Sequence, residues 1–284
     1  MKPAPFAYLR PETLDEALAA LATLGADGRV IAGGQSLGAM LNMRLVRPNA
    51  VIDINRLADL STMTLDEGTV ITGAMVRQAD TLADPRIRDT VPLLALALPY
   101  VGHYQTRNRG TLGGSVAHAD PSAEIPLVLA TLGGEIELRS RRSRRWLKAA
   151  KFFQSTLVTA REPHELVTAL RWPCATPGQT FAFVEFAVRE GDYAIVSVAC
   201  MLDTKAGRVR LGFGGCSEAP QIIERPWTDA AATEDAVEKI AHEAAAKLEC
   251  RSDMLAAADY RQYLAAVLAG KALLAANAAR GAHA

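Results

Sequence analysis

Gln105-Thr106-Arg107-Asn108-Arg109-Gly110-Thr111-Leu112-Gly113-Gly114-Ser115-Val116-Ala117-His118-Ala119-Asp120-Pro121 sets a Gly-Gly pair among hydroxyl residues. About eighty residues earlier, Ala32-Gly33-Gly34-Gln35-Ser36-Leu37 does the same, directly after a strand-like segment at residues 29–32. Paired glycines remove Cβ atoms, so backbone N–H groups can approach and cradle a phosphate. One such pair also serves ordinary turns. Two together point to a ligand with two phosphates, held between separate parts of the chain. Neither stretch reads Gly-x-Gly-x-x-Gly, which disfavours a Rossmann dinucleotide enzyme.

Outward from these loops the pattern is mixed. Residues 6–9, 29–32 and 50–54 read as strands. Thr13 predicts an N-cap with Glu16 three residues on, and leucines 14, 18 and 21 share one face of the helix that follows. Residues 37–45 predict a short helix. Residues 60–73 read as short strands turning at Asp66-Glu67-Gly68. Helices are expected over 75–83, 85–98 and 126–132, and a strand over 135–139. Residues 102–110 form a polar approach in which His103 and Tyr104 shape the loop. Proline and glycine cluster over 171–178 and mark a boundary. Beyond it, strands are expected at 181–188, 195–202 and 209–214, then helices at 234–248 and 260–279, with fraying after Arg280.

The chain has 284 residues, half of them hydrophobic, enough for two domains and a sizeable core. Lys plus Arg and Asp plus Glu both number 31, so nothing in the net charge calls for nucleic acid or an anionic membrane. The basic run at 139–148 reads as a solvated hairpin or loop. No segment approaches a membrane span, and the first residues lack the apolar core of a signal peptide. Cys174, Cys200, Cys216 and Cys250 are scattered with no Cys-x-x-Cys, so no iron–sulfur or structural zinc site is expected and free thiols in a reducing cytoplasm are.

At its two Gly-Gly stretches, at Ala117-His118-Ala119-Asp120-Pro121 and at Arg189-Glu190-Gly191-Asp192-Tyr193-Ala194, the chain resembles the medium, FAD-binding subunit of the molybdenum hydroxylases. These are relatives of xanthine dehydrogenase and carbon monoxide dehydrogenase. The resemblance covers essentially the whole chain. It implies an α+β fold: a two-subdomain FAD-binding domain of the vanillyl-alcohol-oxidase (PCMH) type at 1–175, with subdomains about 1–58 and 59–175. A smaller C-terminal domain at 176–284, a three-stranded sheet with a helical bundle, follows.

The same resemblance implies the site. Backbone amides of Ala32, Gly33, Gly34, Gln35, Ser36 and Leu37 hold the diphosphate, with the Ser36 hydroxyl as a further donor. Thr111, Gly113, Gly114 and Ser115 complete the cradle; Ser115 stands where relatives more often carry Asn or Asp. His118 and Asp120 follow. Glu124 occupies a position where relatives often carry an Asp that accepts from ribityl hydroxyls, and Tyr193 sits against the isoalloxazine. Read without the resemblance, Glu124 is equally an acid at a helix N-terminus, Asp120 a turn residue before proline, His118 a structural hydrogen-bonding group and Tyr193 a core or interface tyrosine. No cysteine lies in either loop, so the FAD is expected to be non-covalent.

The implied function is electron transfer, with no catalytic side chain or metal in this chain. A large partner subunit carries the molybdenum cofactor and the substrate, and a small one carries two [2Fe–2S] clusters. The FAD passes their electrons to an external acceptor, within a dimer of heterotrimers. The alternatives are a stand-alone FAD-dependent oxidoreductase acting directly on a small substrate, and a flavin-free structural subunit.

Overall fold

The computed structural model describes residues 2–228 and 233–282. The tail expected to fray after Arg280 instead continues as a short helical turn, Ala279–Ala282, and residues 283–284 lie outside the described residues. The chain opens with β1 (Ala7–Leu9), α1 (Leu14–Leu24), β2 (Gly28–Ile31), α2 (Leu37–Asn42) and β3 (Ala50–Asp53). Thr13 caps α1 as expected: its hydroxyl accepts the Glu16 N–H at 3.2 Å. β1 and β2 both pair in parallel with β3, giving the order β1-β3-β2. Ala17, Leu18 and Leu21 of α1 bury against Ile52.

Next come β4 (Met63–Asp66), β5 (Thr69–Gly73), α3 (Gln78–Ala83), α4 (Pro85–Thr90), α5 (Pro92–Ala97), α6 (Tyr104–Arg109), α7 (Leu112–His118) and α8 (Glu124–Leu132). β6 (Glu135–Arg139), β7 (Arg144–Lys148), α9 (Ala149–Phe152), β8 (Phe153–Ser155), β9 (Val158–Thr159) and β10 (Leu166–Pro173) follow. The antiparallel sheet β4-β5-β10-β6-β7 covers α8, which is buried along its whole length. The single helix expected over 85–98 is two. Pro92 has no N–H to continue α4, and it starts α5 instead. The helix expected from residue 75 starts at Gln78, because the N–H groups of Ala74 and Met75 bond to Thr168 and Leu60 carbonyls. The basic run is a hairpin, Arg139 pairing with Arg144 across a Ser140–Ser143 turn.

The last part holds β11 (Gln179–Phe186), β12 (Val196–Asp203), β13 (Arg208–Gly214), β14 (Gln221–Pro226), α10 (Glu234–Ala245) and α11 (Ala258–Ala278). Its sheet has four antiparallel strands, not the three expected. The extra one, β14, is a half-exposed edge strand containing Glu224 and Arg225, so it lacks the apolar run that marks the other three. Every residue of β12 is buried. Alternate residues explain why: Ala199 and Met201, with Phe183 of β11, pack into the core around α5 and α8. Val198, Cys200 and Leu202 pack under α10 and α11. No helix among the described residues is long and apolar enough to cross a membrane, and no cluster there has the side chains to hold a metal ion.

Candidate functional site

The first glycine loop leaves the C-terminal end of β2 and enters α2. Gly34 has φ +73°, a conformation costly for other residues. Gly33 is there for a different reason. A Cβ on it would overlap the Arg109 carbonyl oxygen and lie 2.8 Å from the Arg109 carbonyl carbon. The two glycine stretches therefore touch, backbone to backbone. The N–H groups of Gly33, Gly34, Gln35, Ser36 and Leu37 make no hydrogen bond within the described residues, and the Ser36 hydroxyl does not cap α2. A run of five unclaimed donors at a helix entrance suits an anion.

The second stretch is built otherwise. It is the first turn of α7, capped by Thr111, whose hydroxyl accepts the Gly114 N–H at 3.0 Å. Leu112 N–H bonds to Val76 O and Gly113 N–H to Ala74 O, each at 3.0 Å. A Cβ on Gly113 would lie 2.6 Å from Ala74 Cα, and one on Gly114 2.6 Å from Thr111 Oγ1. Gly113 lets α7 pack against the segment after β5, and Gly114 leaves room for the Thr111 cap. The donors this stretch still offers are the Thr111 N–H and the Ser115 hydroxyl.

Two residues missed by sequence reasoning hold the loops in register. Asn55 donates from Nδ2 to Ala32 O at 2.8 Å, and Arg77 donates to Asn55 Oδ1 at 2.8 Å and to Arg109 O. The strut thus runs from the carbonyl before Gly33 to the carbonyl that Gly33 must accommodate. No sequence pattern marks it, because its members come from three distant segments.

Between the loops lies a cleft of about 820 Å³. All the expected residues line it: Ala32, Gly33, Gly34, Gln35, Ser36, Leu37, Thr111, Gly113, Gly114, Ser115, His118, Asp120, Glu124 and Tyr193. Tyr193, 54% exposed, arrives from the C-terminal part and lines the cleft together with Ser36. Enclosure in the cleft raises its pKa, with Asp120 adding to the effect. Gln78, Arg29, Thr159 and Arg161 also line the cleft and were not foreseen. Gln78 Oε1 is buried there with no protein partner. Arg161 is oriented by the Glu162 and Glu165 carbonyls, and its pKa is lowered by burial. The positive φ of Leu157, 58°, belongs to the turn of β8 and β9 that brings this wall in.

Carboxyls dominate the electrostatics at one end of the cleft. Glu124 opens α8 and is 5% exposed; burial pushes its pKa up to about 7, against the bond from its own N–H, with Asp120 adding to the rise. Burial pushes Glu185 up to about 8, Glu124 adding to it, and Glu185 Oε2 has no partner. Burial also depresses His118, opposed by Asp120. Both glutamates hold protons near neutrality that the unfolded chain releases at its ordinary value of 4.5. Their contribution to stability is therefore complete below about pH 4.5 and is lost as pH rises through 7 to 8. The melting temperature of the flavin-free protein is expected to fall by several degrees between about pH 6 and pH 8.5, roughly 4 kcal/mol at most. Glu185→Gln should flatten that slope in a melting series across pH. An unchanged slope would remove the pair as its cause.

The sequence matches two family models, the FAD binding domain in molybdopterin dehydrogenase over residues 4–175 and the CO dehydrogenase flavoprotein C-terminal domain over residues 181–276. It is 35% identical to the 6-hydroxypseudooxynicotine dehydrogenase complex subunit alpha of Paenarthrobacter nicotinovorans, covering 92% of this chain and 90% of that one. It is 32% identical to the carbon monoxide dehydrogenase medium chain of Hydrogenophaga pseudoflava, covering 97% and 98%. A chain of the quinoline 2-oxidoreductase structure from Pseudomonas putida 86 superposes with a TM-score of 0.90 at 33% identity, covering 98% and 99%. The fold, the cleft and these matches agree: the chain belongs to the family of FAD-binding medium subunits of molybdenum-hydroxylase-type dehydrogenases, and is an oxidoreductase subunit.

Proposed function

We propose that this cleft holds FAD non-covalently and that the chain is the electron-transfer subunit of a heterotrimeric molybdenum hydroxylase. The observation that carries the reading is the run of unclaimed N–H donors from Gly33 to Leu37, facing a cleft that Tyr193 closes from the far side. Bound FAD supplies redox chemistry that joins one-electron donors to two-electron acceptors. The rest of the work falls to the chain. Gly33 to Leu37 and Ser36 Oγ bind the diphosphate; Thr111 N–H and the Ser115 hydroxyl add donors from the tied second stretch. The Tyr193 ring, lining the cleft, would pack against the isoalloxazine and help keep water from it. Glu124, protonated near neutrality, can donate a hydrogen bond to a ribityl hydroxyl as well as accept one. Gln78 Oε1 offers a buried acceptor. His118 and Asp120 line the cleft without contributing a catalytic acid or base.

The FAD would accept electrons relayed by two [2Fe–2S] clusters of a small partner subunit after substrate hydroxylation at molybdenum in a large one, and would pass them to an external acceptor. Residues 1–175 form the FAD-binding part and 176–284 the cover. The assembly is a dimer of heterotrimers in the cytoplasm. An absorbance spectrum and metal analysis of the co-purified complex test this. Flavin at one per chain, with iron and molybdenum in the partners, is the expected result. Flavin on a solitary chain that a small substrate reduces would establish the stand-alone oxidoreductase in its place, and a colourless complex would establish the flavin-free subunit.

A further inference from the structure

Cys216 and Cys250 are far apart in sequence and neighbours in space. Cys216 follows the end of β13 and is fully buried; Cys250 lies in the connection between α10 and α11 and is partly exposed. Two hydrogen bonds bracket them. The Arg251 N–H donates to Cys216 O at 2.8 Å, and the Ser217 hydroxyl donates to Glu249 O at 2.6 Å. These two bonds set Cys216 and Cys250 side by side, close enough for each thiol to shift the other's ionisation. Neither thiol takes part in the flavin site, and no metal-holding cluster includes them among the described residues.

We propose that Cys216 and Cys250 are a peroxide-reactive dithiol that closes reversibly to a disulfide, stapling the turn after β13 to the α10–α11 connection. The chemistry is asymmetric. The neighbouring thiols push Cys216 toward its protonated form and Cys250 toward the thiolate, and Arg261 lowers Cys250 further. Cys250 is also the partner that solvent can reach. Its thiolate attacks one oxygen of hydrogen peroxide; the O–O bond breaks, hydroxide leaves and a sulfenic acid forms. The Cys216 sulfur then attacks the Cys250 sulfur, the S–O bond breaks, and water leaves carrying the Cys216 proton. Two thiols are oxidised by two electrons in all, and one peroxide is reduced to water.

The location gives the staple a reach. Gly215, beside Cys216, donates its N–H to Pro121 O at 2.8 Å. Its carbonyl accepts from Arg261, fully buried in α11, at 2.8 Å, and the same guanidinium bonds Ile195 O at 2.5 Å. Ile195 is two residues from Tyr193. The dithiol therefore adjoins the Arg261 bridge between the turn after β13 and the segment that leads from Tyr193 into β12.

The test uses the purified complex with its flavin. It is treated with hydrogen peroxide, blocked with N-ethylmaleimide under denaturing conditions, and mapped by mass spectrometry. The expected result is joint loss of alkylation at Cys216 and Cys250, one linked peptide pair lighter by two hydrogens, and full recovery with dithiothreitol. Cys174 and Cys200 should stay alkylatable. A Cys216→Ala variant should accumulate a sulfenic acid at Cys250 that dimedone traps. Oxidation of Cys250 to sulfinic or sulfonic acid in the unmutated complex with Cys216 still free would overturn the proposal. So would linkage to another cysteine, or no reaction at either. The readout is independent of the flavin assignment.

Discussion

Gly33→Ala is expected to weaken FAD binding by about 100-fold or more, measured by calorimetric titration of the flavin-free protein. The added methyl would stand inside the Arg109 carbonyl and 3.0 Å from Gly110 Cα. Neither neighbour is a flexible side chain; both belong to backbone pinned by Arg77 and by the Gln78 N–H bond to Gly110 O at 3.0 Å. Relief therefore requires the two loops to separate, and overpacking of this kind costs about 1–3 kcal/mol before any ligand is lost. Gly38→Ala is the control. It lies in α2 with nothing within 4 Å of its added carbon. It should leave affinity unchanged and raise stability by about 0.5–1 kcal/mol, since alanine is the better helix former. Equal flavin content in wild type and Gly33→Ala would show that the loops are not held at a fixed separation.

Arg77→Met should lower FAD affinity by roughly 10- to 100-fold while most secondary structure persists. Methionine keeps much of the stem but removes both donors, leaving Arg109 O and Asn55 Oδ1 without them. Asn55 then loses the group that orients its amide toward Ala32 O. Asn55→Ala should have a similar effect, and the double variant little more than either alone, because the two side chains act as one strut. Fully additive losses in a double-mutant cycle would mean that they act separately.

The parts of the site that reside in local chemistry were legible in the sequence. The Gly33-Gly34 pair lies at a turn where Gly34 takes a positive φ, and Thr13 is an N-cap with its helix beside it. All the expected lining residues surround one cleft. Missed features are those that depend on distant pairing. Asn55 and Arg77 are ordinary polar residues until β3, the segment after β5 and the end of α6 are brought together. Glu185 was passed over because only burial beside Glu124 distinguishes it. At Gly33 and Gly113 the approach of protein backbone itself requires glycine, a reason the local sequence does not carry. Pro92 was a visible break in a pattern otherwise apolar enough to read as one helix.

The two-sided burial of β12 has a consequence for how the molecule comes apart. Ala199 and Met201 complete a core built mainly from the N-terminal part, α5 and α8 among its elements, while their neighbours Val198 and Cys200 belong to the core beneath α11. A strand shared in this way couples the melting of the two halves. Cutting the chain after residue 175 would expose the apolar surface of α5 and α8 that Phe183 covers, so the N-terminal part alone should aggregate. On the ribosome, the flavin-binding half then waits for a strand synthesised after its own sequence is finished, and the complete chain is expected to unfold in a single cooperative step.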